Sequence, residues 1–273
     1  MRRSERIAII TKILSTNPRT HFSLNYFAGL LDAAKSTISE DLTLVRDTFQ
    51  EYGLGQVVTI PGAAGGVKFL PLLSLSKIAS LLEEMSERLA EQERIIPGGY
   101  LYMTDLIFNP KHAGEIGEIF ATVFKEIEPD YVVTIETKGI PLAMSTARAF
   151  NVPLVIIRDD SKVTEGSAVS INYVSGSTRR IRTMALARRS MATGSKVLLI
   201  DDFMKAGGTA RGMLELMAEF KAEVLGMGVL VSTTEPKEKL VDNYLALLEL
   251  EALDEKEKRI SIKPGKWLYN FTG

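Results

Sequence analysis

The run Val197-Leu-Leu-Ile-Asp-Asp-Phe-Met-Lys-Ala-Gly-Gly-Thr209 constrains this chain more than any other stretch. Val197–Ile200 is apolar without alternation, the pattern of a parallel strand covered on both faces. Gly207 and Gly208 allow a tight turn and a close backbone approach to a ligand. Thr209 is placed to cap the helix that follows, and free N–H groups at such a helix start attract phosphate. Asp201 and Asp202 stand ready to accept hydrogen bonds from vicinal sugar hydroxyls. An ordinary strand–turn–helix connection accounts for the glycines. It does not account for two adjacent acids at the C-terminal end of a buried strand, the edge where open α/β sheets bind ligands.

Composition removes several function classes. The chain has 273 residues, enough for two domains, and 45% of them are hydrophobic. A net charge of -1 gives no global sign of nucleic-acid binding, so any such reading must be local. There is no cysteine, and His21 and His112 are the two histidines, which leaves no thiolate metal site and little for zinc. No apolar stretch reaches membrane-spanning length and the N-terminus lacks a signal-peptide core, so a cytoplasmic location is expected.

The first 73 residues predict three helices and a hairpin. Ile7, Ile10, Ile13 and Leu14 recur at helical spacing, and Asn17-Pro18 stops that helix. Ser23 caps a second helix with Leu24, Phe27, Leu30 and Leu31 on one face. After the step Asp32-Ala33-Ala34, a third helix runs to about Tyr52, capped by the box Thr37-Ile-Ser-Glu40 or by Ser36, with Ile38, Leu42, Val45 and Phe49 as its stripe. Gln56–Ile60 and Val67–Leu70 then flank the glycine-rich turn Pro61–Gly66, whose glycines permit positive φ. This order is a winged helix-turn-helix. Its expected DNA contacts are Arg2, Arg3, Lys35, Ser36, Thr37, Ser39, Arg46, Gly65, Gly66 and Lys68. Eight basic against six acidic side chains give residues 1–73 a charge of only +2, and a small dimerisation or capping domain fits the same pattern.

Residues 74–273 form the second domain. Residues 74–95 read as a connecting helix joining domains or dimer partners, with Ile78, Leu81, Leu82, Met85 and Leu89 on one face. Pro97-Gly98-Gly99 breaks the chain before Tyr100. Strands are expected at Tyr131–Ile135, Pro153–Arg158, Lys196–Ile200 and Val224–Val231, with helices at Gly139–Phe150 and Gly208–Phe220. Alternating strand and helix implies an open parallel sheet. The polar loop Glu136-Thr-Lys-Gly139 follows one strand, and Arg158-Asp-Asp-Ser-Lys162 follows the next, with Asp159 and Asp160 read as a solvated turn. Residues 158–196 carry eight basic and three acidic side chains, a charge of +5, and read as a hairpin over the ligand or a second DNA surface. Lys237–Leu250 is read as helix or strand, and Trp267 as a packing residue.

The spacing Asp201-Asp-x-x-x-x-Gly-Gly-Thr209 resembles the phosphoribosyl pyrophosphate (PRPP) loop of type I phosphoribosyltransferases, and no Gly-Lys-Ser/Thr of a nucleotide P-loop follows it. With the winged helix ahead of it, the whole chain resembles the purine operon repressors of Gram-positive bacteria. The resemblance rests on Ala34-Lys-Ser-Thr-Ile-Ser-Glu-Asp41, Pro61-Gly-Ala-Ala-Gly-Gly-Val67, Thr137-Lys-Gly-Ile-Pro141, Lys162-Val-Thr-Glu-Gly-Ser167, Ser170-Ile-Asn-Tyr-Val-Ser175 and the Asp201–Thr209 loop. It implies an α/β chain with a winged helix-turn-helix before a phosphoribosyltransferase-like domain. It also implies a homodimer on operator DNA, PRPP as inducer, and the alarmone ppGpp as competitor for the same pocket. No resident cofactor or metal is implied, though magnesium would accompany PRPP. The expected nucleotide site is Asp201, Asp202, Phe203, Met204, Lys205, Ala206, Gly207, Gly208 and Thr209, with Thr137, Lys138, Gly139, Arg158, Lys162 and Tyr100. Lys205 and Ala206 depart from catalytic relatives, where a small or acidic residue and a small hydroxylic or amide residue are usual, so a sensor is expected. The alternative is an active purine phosphoribosyltransferase with an accessory N-terminal domain.

Overall fold

The computed structural model describes residues 1–62, 65–159, 166–174 and 181–270. In the N-terminal domain, α1 (Arg3–Thr16), α2 (Leu24–Leu31) and α3 (Lys35–Glu51) close over a three-stranded sheet of β1 (Phe22–Ser23), β2 (Gln56–Ile60) and β3 (Gly66–Leu70), in the order β1-β3-β2. Ile10, Leu14, Phe27, Leu31, Ile38, Leu42, Val45 and Phe49 are buried together with Val57, Val67 and Phe69 of the hairpin. The Ser23 hydroxyl accepts from the Tyr26 N–H at 3.1 Å, so the expected cap is present.

Other expectations for this domain are corrected. Leu30 is 51% exposed, because an eight-residue helix turns only part of its circumference to the core. No side chain caps α3, which starts at Lys35 after Ala34, so Ser36 and Thr37 lie inside its first turn. Asp41, one of the six acids counted in this domain, is buried and takes both Arg3 Nε at 3.1 Å and Arg6 Nε at 2.7 Å. These bonds tie α1 to α3.

α4 (Leu75–Leu89) buries Ile78, Leu81, Leu82, Met85 and Leu89, as the pattern predicts. Through that face it packs into the second domain's core. Then come β4 (Ile95–Ile96), β5 (Tyr100–Leu101), α5 (Thr104–Ile107) and α6 (Pro110–Val123). The sheet is built from β6 (Tyr131–Ile135) and β7 (Leu154–Ile157), joined by α7 (Ile140–Phe150), and from β10 (Lys196–Met204), β11 (Glu223–Thr233), β12 (Leu245–Asp254) and β13 (Arg259–Pro264). Between them, β8 (Ala168–Val174) and β9 (Ile181–Ala187) form the expected antiparallel hairpin, α8 (Gly208–Glu219) follows β10, and α9 (Trp267–Asn270) ends the described chain.

Sheet order is β13-β12-β11-β10-β6-β7; β13 is antiparallel and the other neighbours are parallel. Along β10, Leu198 and Ile200 face one core while Val197 and Leu199 face the other, the two-residue alternation of a strand covered twice. Helices α4 to α7 cover the first face; α8 and the β8–β9 hairpin cover the second. Residues 234–244 form no helix, which corrects half of the expectation for Lys237–Leu250. Trp267 packs against the main core as expected.

Candidate functional site

The parallel strands end together at one sheet edge, and there the chain leaves a cavity of about 720 Å³. Its walls include Tyr100, Lys138, the whole Asp201–Ala210 segment, Thr233 and Glu251. β10 runs through Met204, so both aspartates are held on strand backbone rather than on a loose loop. Gly207 supplies the turn at φ +83°, and α8 begins at Gly208 with its amides toward the cavity edge. Gly207, not Thr209, occupies the cap position; Thr209 lies within the first turn of α8.

The carboxylates differ. Asp201 is buried, and burial followed by the neighbouring Asp202 charge pushes its pKa well up. Asp202 is partly exposed to the cavity; its pKa is also raised by burial, with Lys138 and a hydrogen bond from Asp201 opposing. One Asp201 oxygen accepts the Asp202 N–H at 2.9 Å. The pair is therefore held in a fixed geometry at a sheet edge, as recognition of a vicinal diol requires. Phe203 leans on one core and Met204 is buried in the other, so they anchor the loop more than they touch its contents.

The second loop, Glu136–Gly139, faces the first. The Glu136–Thr137 peptide is cis. Lys138 reaches the cavity, Thr137 is exposed beside it, and Gly139 is buried. A Cβ on Gly139 would meet Thr134 Oγ1 at 2.4 Å and Asp201 Oδ1 at 3.2 Å, so only glycine lets α7 start against the aspartate strand. Arg158 does not line the cavity. It is exposed and pairs with Glu136 at 2.9 Å, bracing the base of the loop. Asp159, read from sequence as a solvated turn, instead pairs with Arg182 of β9 and accepts from Tyr173 at 3.4 Å. Lys162, Asp160, Arg179 and Arg180 lie outside the described residues.

Sequence reading missed the supports. Residues 234–244 back the Asp201–Thr209 loop: Lys239 Nζ donates to the Lys205 carbonyl and to Thr233 O at 2.7 Å, and the Leu240 N–H donates to Ala206 O at 2.9 Å. Buried Arg94 holds Asp105 through two bonds of 2.8 and 3.0 Å and accepts the Tyr102 N–H, fixing the turn that carries Tyr100. Thr134 had a visible signal, a hydroxyl inside an apolar strand; Lys239 and Arg94 had none.

In the N-terminal domain, a groove of about 250 Å³ runs between α3 and the wing, lined by Ser39, Thr43, Arg46, Thr59 and Gly65 among others. Lys35, Ser36 and Ser39 are exposed at the start of α3, and Arg46, paired with Asp47 at 2.9 Å, remains 44% exposed. Arg2 is exposed, Thr37 and Lys68 half-buried. Arg3 pairs with Asp41 at 3.1 Å while its side chain stays 57% exposed. Gly66 is buried with negative φ, and a Cβ there would meet Phe22 O at 2.1 Å, so strand packing alone requires glycine at this position. Gly62 is the wing glycine at positive φ, and residues 63 and 64 lie outside the described set.

Residues 2–71 match the family described as bacterial purine repressor, N-terminal, and residues 104–262 match the phosphoribosyl transferase domain. The chain is 51% identical to the purine biosynthesis transcriptional repressor PurR of Bacillus subtilis (strain 168), over 99% of this chain and 95% of that one. It is 40% identical to the purine biosynthesis transcriptional activator PurR of Lactococcus lactis subsp. lactis (strain IL1403), covering 97% and 98%. Among solved structures, adenine phosphoribosyltransferase from Rhodothermus marinus DSM 4252 superposes with a TM-score of 0.54 at 22% identity, covering 63% of this chain and 99% of that one, a likeness of fold. With both domains matched and near-complete coverage of the relatives, the chain belongs to the bacterial purine repressor family.

Proposed function

We propose that this protein represses purine biosynthesis genes and that the cavity at Asp201–Thr209 senses PRPP, whose binding weakens the hold on operator DNA. The observation that carries the ligand reading is the meeting of four features at one sheet edge. These are the aspartate pair on β10, the glycine turn opening α8, Lys138 on the facing loop, and Lys205 on the loop itself. The aspartates suit the ribose hydroxyls, the α8 amides the 5-phosphate, and Lys138 with Thr137 the pyrophosphate. A lysine at 205 adds a cation where catalysis would want none, so binding is strengthened and no carboxylate base stands beside the ribose. The chain thus uses a phosphoribosyltransferase fold as a sensor rather than as an enzyme.

The exposed Tyr100 ring on the cavity wall offers a face for a guanine, which supports ppGpp as a competing ligand. Two chains acting as a homodimer fit the small DNA-binding module, which makes few phosphate contacts alone. Repression rather than activation follows the higher identity to the Bacillus repressor than to the Lactococcus activator.

The test is calorimetry of PRPP with the full chain and with the double variant Asp201→Ala, Asp202→Ala. Binding by the wild type and its loss in the variant, with operator binding retained, is expected. Equal PRPP affinity in both proteins, or pyrophosphate release when a purine base is added, would sink the reading.

A further inference from the structure

The two domains touch through a short joint that sits at the far end of the helix opening from the cavity. Arg19 stands in the left-handed region at φ +59°, a conformation held here by its N–H donating to Phe69 O of the wing strand at 2.7 Å. Its guanidinium lies 4.1 Å from the centre of the Phe150 ring and approaches Ala121 O at 3.5 Å. Beside it, Thr20 Oγ1 accepts from Asn151 Nδ2 at 2.9 Å, and the linker N–H of Leu73 donates to Thr122 Oγ1 at 2.9 Å. Phe150 and Asn151 are the last residue and the cap of α7; Ala121 and Thr122 are in the last turn of α6.

α7 begins at Ile140, directly after Gly139, and its eleven residues span roughly 16 Å. It cannot bend easily around its neighbour. α6 crosses so closely that a Cβ on Gly117 would fall 2.6 Å from the Ser145 carbonyl carbon. A displacement of its cavity end is therefore passed to its other end. From Thr20 the chain enters β1 within two residues, and β1 pairs with the wing at Phe22–Val67 and Ser23–Gly66.

The chemistry of the joint suits a contact that breaks. Arg19 Nε is buried without a hydrogen-bond partner among the described residues, and burial lowers the residue's pKa, with the Glu128 charge opposing. A cation held mainly by a ring face and one long carbonyl contact is poorly compensated for its lost water.

We propose that α7 couples the cavity to the DNA-binding domain and that Arg19 is the contact through which loop movement at Thr137–Gly139 reaches the wing. This rests on the reading that the cavity binds PRPP. Coupling between two sites is a ratio of affinities, commonly about 5- to 150-fold, and it is measurable apart from either affinity.

The test uses full-length Arg19→Met, which keeps apolar bulk over Phe150, and separately Asn151→Ala, which removes one hydrogen bond. PRPP binding is read by calorimetry, and operator affinity by anisotropy with and without saturating PRPP. Both variants are expected to keep PRPP binding and operator binding. The PRPP-induced change in operator affinity should collapse toward one in Arg19→Met and shrink in Asn151→Ala. A full PRPP response in both variants would overturn the proposal. So would loss of operator binding by a folded Arg19→Met regardless of PRPP, which makes the residue a prop for the DNA face. Failure of the wild type to bind PRPP is a distinct result and overturns the pocket reading instead.

Discussion

Gly139→Ala tests the site at its narrowest point. The added methyl would lie 2.4 Å from Thr134 Oγ1, where ordinary contact starts near 3.4 Å, so about 1 Å of room must be found. Thr134 is fully buried on β6, its hydroxyl directed to Ile135 O at 3.4 Å, and cannot swing aside. The start of α7 must move instead. Overpacking of this kind costs about 1–3 kcal/mol. At about 2–4 °C per kcal/mol for a domain of this size, the melting temperature should fall by about 2–12 °C. The same shift draws Lys138 away from Asp202 and from any bound phosphate. Loss of a charge-assisted contact, about 1.5–3 kcal/mol, lowers PRPP affinity roughly tenfold to a hundredfold. Thermal melts with and without PRPP, alongside calorimetry, read both effects. Gly114→Ala on α6, where nothing lies within 4 Å of the new methyl, is the control and should be neutral or slightly stabilising. A Gly139→Ala protein that melts and binds PRPP like wild type would show that the start of α7 has room for the methyl.

Two other predictions concern charge. Asp201 has a folded pKa raised well above 3.8, so the native state carries a buried carboxylate at a cost once pH exceeds that raised value. Its contribution is most favourable below 3.8 and is lost as pH rises through the folded pKa. Asp201→Asn keeps the acceptor for the Asp202 N–H and should melt higher than wild type at neutral pH, the gap closing toward acid; a gap that widens toward acid contradicts this. On the DNA side, Lys35→Ala and Lys68→Ala should each lower the slope of log affinity against log salt by about 0.9, seen as shallower salt titrations on operator DNA. Unchanged slopes would remove these lysines from the interface.

What was legible in the sequence followed from period and punctuation. The stripe Ile38, Leu42, Val45, Phe49 and the flat run Val197–Ile200 placed α3 and β10, because burial on one or two faces writes itself into spacing. The Asp201–Thr209 loop and Lys138 were visible for a different reason: glycines and adjacent acids are costly unless a ligand or a turn needs them. Long-range pairings were not legible. Nothing near Arg158 announces Glu136, and nothing near Lys205 announces Lys239 thirty-four residues on. Nothing near Arg3 announces its pairing with the buried Asp41 of α3. Gly66 was ambiguous, since a glycine required by Phe22 packing reads like a flexible one. α6 escaped because Pro110 starts it without an acidic first turn, although Asn109 does cap it.

On the proposed reading, a sugar-phosphate pocket in one domain governs DNA binding by the other. Titrating PRPP into the full-length protein on a labelled duplex from upstream of its purine biosynthesis genes, at fixed salt, measures this directly. Operator affinity is expected to fall as PRPP saturates, and the Asp201→Ala, Asp202→Ala protein to bind the duplex without responding. Operator affinity that stays constant at saturating PRPP would contradict that reading.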